Sequence, residues 1–177
     1  MIDKKAKSTV ALFASAGREG NTGRLIDRVS GELKLEVVDL TKKNIAPYTY
    51  DHRHRGDDFE PLMTHLLACE QIVFASPVYW YSMSPPMKIF LDRISDYLEL
   101  PDLLSQGRRL RGKTGFVLCT SVMEAPAPEF ISAFQQTFEY LGMHDGGHLH
   151  ANCADGYLAE KYESDTRKFL RHLRAQA

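Results

Sequence analysis

The run STVALFA, Ser8–Ala14, is apolar without a break. A strand of this composition has both faces covered, which places it at the centre of a parallel sheet with helices packed on each side. Similar runs return as LEVVDL (Leu35–Leu40), QIVFAS (Gln71–Ser76) and KTGFVLCT (Lys113–Thr120), and more weakly as GHLHAN (Gly147–Asn152). Between and after them the apolar spacing changes to that of a helix. Leu25, Ile26, Val29 and Leu33 share one stripe, and Phe59, Leu62, Met63, Leu66 and Leu67 a second. Met87 to Leu98, Phe130 to Leu141 and Leu158 to Leu173 carry three more. Strict alternation of strand and helix predicts one α/β domain, residues 1–177, with a five-stranded and mostly parallel sheet. Right-handed crossovers leave only a few arrangements. Lys42–Asp58 has neither period and reads as a long surface loop.

Charge and cysteine content narrow the function classes. A formal net charge of −1 asks for neither nucleic acid nor an anionic membrane as partner. Cys69, Cys119 and Cys153 are scattered and form no C-x-x-C pair, which argues against disulfides, a zinc knuckle or a cysteine-bound cluster. Cys119, within an apolar run, is expected in the core. The apolar stretch near the start, Val10–Ala14, is too short for a signal peptide or a membrane span, so a cytoplasmic protein is expected.

In an open α/β sheet, ligands bind beyond the carboxyl ends of the strands, where strand order reverses. With the order 2-1-3-4-5 the loops after strands one, three and four meet there, and they are the most unusual segments of the chain. The first, ASAGREGNTG, offers Ser15, Asn21 and Thr22 as short hydrogen-bonding side chains, Gly17 and Gly20 where the backbone can come close, and a helix beginning near Thr22 whose free N–H groups attract an anion. Arg18 could add charge. The alternative is a turn in which Thr22 caps the helix. It is neither a Walker loop nor G-x-G-x-x-G. The second loop, SPVYWYSMSPP, puts Tyr79, Trp80 and Tyr81 in a row, stiffened by Pro77, Pro85 and Pro86. Its aromatics suit a flat apolar ligand or, alternatively, packing on a neighbouring helix or subunit. The third, TSVMEAPAP, has small and polar residues at a strand end.

Those loops carry a family resemblance. SPVYWYSMSPPMKIFLDR (Ser76–Arg93) closely resembles the signature of the NADPH-dependent FMN reductase family, a branch of the flavodoxin-like flavoproteins. SAGREGNT (Ser15–Thr22) is similar to that family's phosphate loop, and GDDF precedes the second helix as it does there. The resemblance implies a flavodoxin-like three-layer sandwich, order 2-1-3-4-5, with FMN bound non-covalently. Ser15, Gly20, Asn21 and Thr22 would hold the phosphate with Arg18 nearby. Pro77, Val78, Tyr79, Trp80 and Tyr81 would border the ring, and Thr120 and Ser121 its far edge. It further implies NAD(P)H as reductant, a small acceptor (quinone, nitro- or azo-aromatic, free flavin or metal ion), and a homodimer or larger homo-oligomer. The flavin carries the chemistry, so no catalytic side chain is nominated. Relatives often read Ser-Pro-Arg in the first loop, whereas here Arg18 stands one place later, after Ser15-Ala16-Gly17. Some relatives have a glycine-rich third loop, and iron–sulfur relatives have clustered cysteines between the second strand and second helix; this chain has neither.

Other clusters read as structure first. His148 and His150 share a strand face, but no clear ligand set converges, and no metal site is expected. His52-Arg53-His54-Arg55 reads as a solvated basic loop, and Lys88 and Asp92 as an i,i+4 pair. Two other functions share this topology. An electron-carrier flavodoxin is usually strongly acidic, which this chain is not. A phosphorylated receiver domain needs acidic residues where this chain has Ala14-Ser15 and Ser76-Pro77.

Overall fold

The computed structural model describes residues 8–175; the sequence before Ser8, part of the reading of the N-terminus, lies outside the described residues. All five strands are parallel, in the order β2-β1-β3-β4-β5. β1 (Thr9–Phe13) lies between β2 (Glu36–Asp39) and β3 (Gln71–Pro77), and β4 (Thr114–Ser121) leads to β5 (His144–Asn152). Every residue of β3, and all of β4 but Ser121, is buried, which is why these strands are apolar along both faces.

Side-chain alternation sorts the core into two halves. Val10, Leu12, Ile72, Phe74, Val117 and Cys119 face α2 (Phe59–Ala68), α3 (Pro85–Arg93) and α6 (Pro128–Leu141). Ala11, Phe13, Val73, Ala75, Phe116 and Leu118 face α1 (Asn21–Leu33) and α7 (Glu163–Ala175). Cys119 is fully buried as expected, and burial pushes its thiol up to about 12.

Three expectations need correction. The helix expected from Met87 to Leu98 ends at Arg93, and the chain continues through two single turns, α4 (Asp96–Glu99) and α5 (Leu104–Gly107). The last helix begins at Glu163, after a tight turn at Ala159–Tyr162, and leaves Leu158 outside it and exposed. The fifth strand starts at His144 instead of Gly147, with a register shift opposite Gly115–Val117. Its first residues, His144 and Asp145, are exposed and polar, so no apolar period announces them.

The loop at residues 42–58 lies on the surface but is fastened, because Arg93 runs underneath it. The Arg93 guanidinium is 1% exposed. It donates to Asp57 at 2.6 Å, to Asp96 at 2.7 Å, and to the carbonyls of Ala46 and His54 at 3.0 and 2.6 Å. It also lies over the Phe59 ring. His52, expected in solvent, is mostly buried and bonds Asp96 at 2.7 Å. Arg53 pairs with Asp51, and Arg55 reaches Glu60 and Asp102, so both arginines of the basic cluster have carboxylate partners. Lys88 and Asp92 form the expected pair.

Asp57 holds this arrangement together. Its carboxylate accepts from Arg93 and from the N–H groups of Ala46 and Phe59. Burial works to raise its pKa, but the bonds from Arg93 and the two amides outweigh it, and Asp57 sits below the usual carboxylate range. Its stabilising effect is therefore complete above the ordinary Asp pKa and is lost as pH falls through the lowered one. Asp57→Asn leaves Arg93 buried without its full charge partner, and should cost about 3–5 kcal/mol at neutral pH. Urea unfolding is the measurement, and the gap between wild type and variant should narrow as the pH falls below the ordinary Asp range and through the lowered pKa of the native carboxylate.

Candidate functional site

At the end of β1, the Ala14 N–H still bonds Ala75 O at 2.9 Å, and the chain then leaves the sheet. It turns at Gly17–Gly20, where the Gly20 N–H reaches Gly17 O at 3.1 Å, and enters α1. The first helical bond runs from Arg24 N–H to Gly20 O. The N–H groups of Asn21, Thr22 and Gly23 consequently have no acceptor within the helix. The first turns of α2, α6 and α7 each carry a carboxylate, whereas those of α1 and α3 carry none, so the positive end of α1 is not compensated from within the helix.

Two long-range contacts prepare the side chains at this end. Asn21 Oδ1 accepts the Tyr157 N–H at 3.0 Å, which leaves the amide NH2 as the group available to donate. Thr22 Oγ1 is buried and lies 2.7 Å from Thr120 Oγ1, joining the first loop to the end of β4. Thr22 is not the helix cap, a position that Gly20 occupies. Gly23 was not singled out from the sequence. An ideal Cβ there would fall on the Arg18 carbonyl oxygen, so only glycine lets the loop cross the first helical turn. A glycine within a helical stripe was the available signal.

Arg18 departs from the arrangement expected of it. Its guanidinium turns onto α1, donating to the Gly23 carbonyl at 3.1 Å, pairing with Asp27 and lying over the Phe13 ring. It does not line the cleft described next.

The second loop is a two-residue hairpin. Tyr79 N–H bonds Ser82 O at 2.8 Å and Ser82 N–H returns to Tyr79 O at 3.0 Å. The residues between, Trp80 and Tyr81, have φ of 48° and 65°, the left-handed pair that such turns require and that Asn-Gly ordinarily supplies. Buried hydroxyls hold its base. Ser76 Oγ accepts the Ser84 N–H at 2.9 Å, and Ser84 Oγ donates to Ala14 O at 2.7 Å. The aromatics are thus held out from a rigid stem: Trp80 is 94% exposed and Tyr81 59%. Among the described residues, Trp80 packs on no helix.

These segments enclose one cleft of about 550 Å³, within the range of small-molecule sites. Ser15, Gly20, Asn21 and Thr22 line one part, Pro77, Val78, Tyr79, Trp80 and Tyr81 another, and Thr120 and Ser121 join them. Gly17 of the first loop, Val122 and Met123 of the third loop, and Cys153, which lies outside all three loops expected there, complete the lining. Nothing local marks Cys153; it arrives because its N–H bonds Ser121 O at 2.6 Å. Burial raises its thiol pKa, so it lines the wall as an apolar group. The cleft therefore offers uncompensated N–H groups, an amide and hydroxyls at one part and aromatic faces at another. That set fits a molecule with a phosphate monoester at one end and a planar ring at the other, as FMN has, with no lysine needed for the charge.

Residues 8–155 match the family described as NADPH-dependent FMN reductase. YwqN of Bacillus subtilis (strain 168), named as an NAD(P)H-dependent FMN-containing oxidoreductase, is 27% identical over 139 residues, which cover 73% of this chain and 76% of YwqN. Among solved structures, the FMN-dependent NADH-azoreductase of Bacillus anthracis in complex with FMN matches with a TM-score of 0.72 at 10% identity, over 98% of this chain and 100% of its own. A flavodoxin of Streptococcus pneumoniae TIGR4 matches with a TM-score of 0.60 at 19% identity, over 96% and 99%. At such identities the structural likeness speaks for the fold alone.

Three variants test the site's construction. Asn21→Asp keeps the acceptor for Tyr157 N–H but replaces the donor with a negative charge. FMN affinity measured by flavin fluorescence should fall at least about 100-fold, against about tenfold for Asn21→Ala. Trp80→Asn with Tyr81→Gly relieves two left-handed aromatic residues and should raise the unfolding free energy in urea by about 1–3 kcal/mol.

Proposed function

This chain belongs to the NADPH-dependent FMN reductase family, and from that premise we propose that it binds FMN non-covalently in the cleft and passes electrons from NAD(P)H to a small, flat acceptor. The observation that carries the reading is the joining, in one cleft, of a helix terminus with an uncompensated positive end and a rigid aromatic hairpin. The names of YwqN and of the B. anthracis azoreductase support FMN and a nicotinamide reductant.

When bound, FMN supplies the two-electron chemistry between the nicotinamide and the acceptor. The residues supply binding and shape. The N–H groups of Asn21, Thr22 and Gly23, the Asn21 amide and the Ser15 and Thr22 hydroxyls hold the phosphate. A cradle of fixed N–H dipoles loses little by reorganisation when the dianion arrives. Pro77, Val78 and Tyr79 form the wall beside the ring, and Thr120 and Ser121 border its edge. Trp80 and Tyr81, exposed at the rim, offer ring faces to a planar substrate, which favours quinones and nitro- or azo-aromatics over metal ions. A net charge of −1 argues against a carrier that docks on protein partners through strong overall acidity.

The test is optical. The full chain reconstituted with FMN should show bound-flavin absorbance that bleaches rapidly with NAD(P)H in the absence of oxygen and recovers on adding a quinone or an azo dye. A protein that takes up no FMN overturns the reading; one that binds FMN but bleaches only slowly is a carrier.

A further inference from the structure

Ser121 lines the cleft, and the group behind it is an imidazole. Ser121 Oγ lies 2.8 Å from His150 Nε2 and also accepts the Met123 N–H at 3.1 Å. His150 is half-buried on β5 and does not line the cleft; it lines a neighbouring cavity of about 460 Å³ on the other side of the contact. One serine therefore separates the cleft from a titratable group with its own cavity.

Hydrogen-bond valence makes this contact directional. A serine hydroxyl has one proton to donate. With Nε2 bare, that proton is committed to His150, and Ser121 turns only lone-pair density towards the cleft. With Nε2 protonated, the imidazole donates to Oγ, which already accepts from Met123, and the Ser121 O–H is free to donate into the cleft. Whether His150 Nε2 carries a proton thus sets whether the cleft edge is an acceptor or a donor.

We propose that His150 is a positioning residue that couples proton uptake to electron uptake in the cleft through Ser121. The inference rests on the electron-transfer function proposed above. In that reaction NAD(P)H gives one hydride, the acceptor leaves with two electrons and two protons, and one proton must come from solution. His150 gains that proton from solution when negative charge accumulates in the cleft, so that both ring nitrogens are protonated and Nε2 donates to Ser121. It returns it by donating to Ser121 Oγ, as Ser121 gives its own proton to the departing acceptor.

The surroundings keep His150 neutral until then. Burial first, and the neighbouring His148 second, lower its pKa. Several other titratable groups face the same cavity. Glu124 follows β4, and Asp165, Lys168 and His172 lie on α7, while Tyr162 has its hydroxyl bonded to Asn152 O. Cys119, in register with His150 on β4, holds its proton throughout this range.

The experiment follows the His150 imidazole nitrogens by NMR in the full chain, assigned by their loss in His150→Gln. Spectra are recorded across neutral pH for the apo, FMN-loaded and anaerobically reduced protein. The His150 pKa should rise by about one unit or more on reduction, and that rise should largely vanish in Ser121→Ala. His150→Gln should lower kcat about tenfold or more and remove the corresponding limb of the pH profile, with FMN affinity within about twofold of wild type. Identical titration in the oxidised and reduced states overturns the proposal, as does a full shift in Ser121→Ala. The apo protein gives a cofactor-free check: if Ser121→Ala leaves the His150 tautomer and pKa unchanged, the coupling does not exist. Failure to bind FMN is seen separately in the flavin spectrum and counts against the function proposed above.

Discussion

The parallel direction of the strands is the constraint on which the site depends. Each strand ends at the same edge of the sheet, and each following helix starts near that edge with N–H groups that have no acceptor within the helix. Because β1 sits between β2 and β3, the loops leaving β1 and β3 run to opposite faces and open a cleft between them. The chain then had only to keep carboxylates out of the first turn of α1, and it has done so there while placing them in the first turns of α2, α6 and α7.

Geometry alone would leave three separate loops. Short hydroxyl side chains, buried where they have few other partners, join them. Ser84 ties the aromatic hairpin to the end of β1, and Thr22 and Thr120 tie the helix terminus to β4. Each bond is individually modest, but a buried hydroxyl that loses its partner keeps its desolvation cost, so the joined arrangement is the one that persists. This stiffness is what lets Trp80 and Tyr81 stay in a left-handed turn and in water. A less constrained loop would fold its aromatics inward.

The same logic appears in the buried ion network. Arg93 gains little net stability from burial itself, because desolvation offsets much of its attraction to Asp57 and Asp96. What it does is specify a position: it fastens a loop with no regular structure to α3 at three points, Ala46, His54 and Asp57, and also bonds Asp96 of α4. A hydrophobic residue there would bury well but could not direct the carbonyls of Ala46 and His54.

Periodicity and turn chemistry in the sequence determined the layers, the sequence of strands and helices, and the candidate phosphate and aromatic loops, because they report which faces are buried and where the chain must turn. They did not report the partner of any one side chain. Arg18 appeared ready to meet an anion, yet in space it lies against Asp27 and Gly23. Thr22 resembled a cap, and His52 resembled a solvated basic residue. The contacts that give the site its polarity join residues far apart in the chain: Asn21 with Tyr157, Thr22 with Thr120, and Ser121 with His150. Only the tertiary structure decided these, because a hydrogen bond depends on distance and direction in space, and neither is encoded in local spacing.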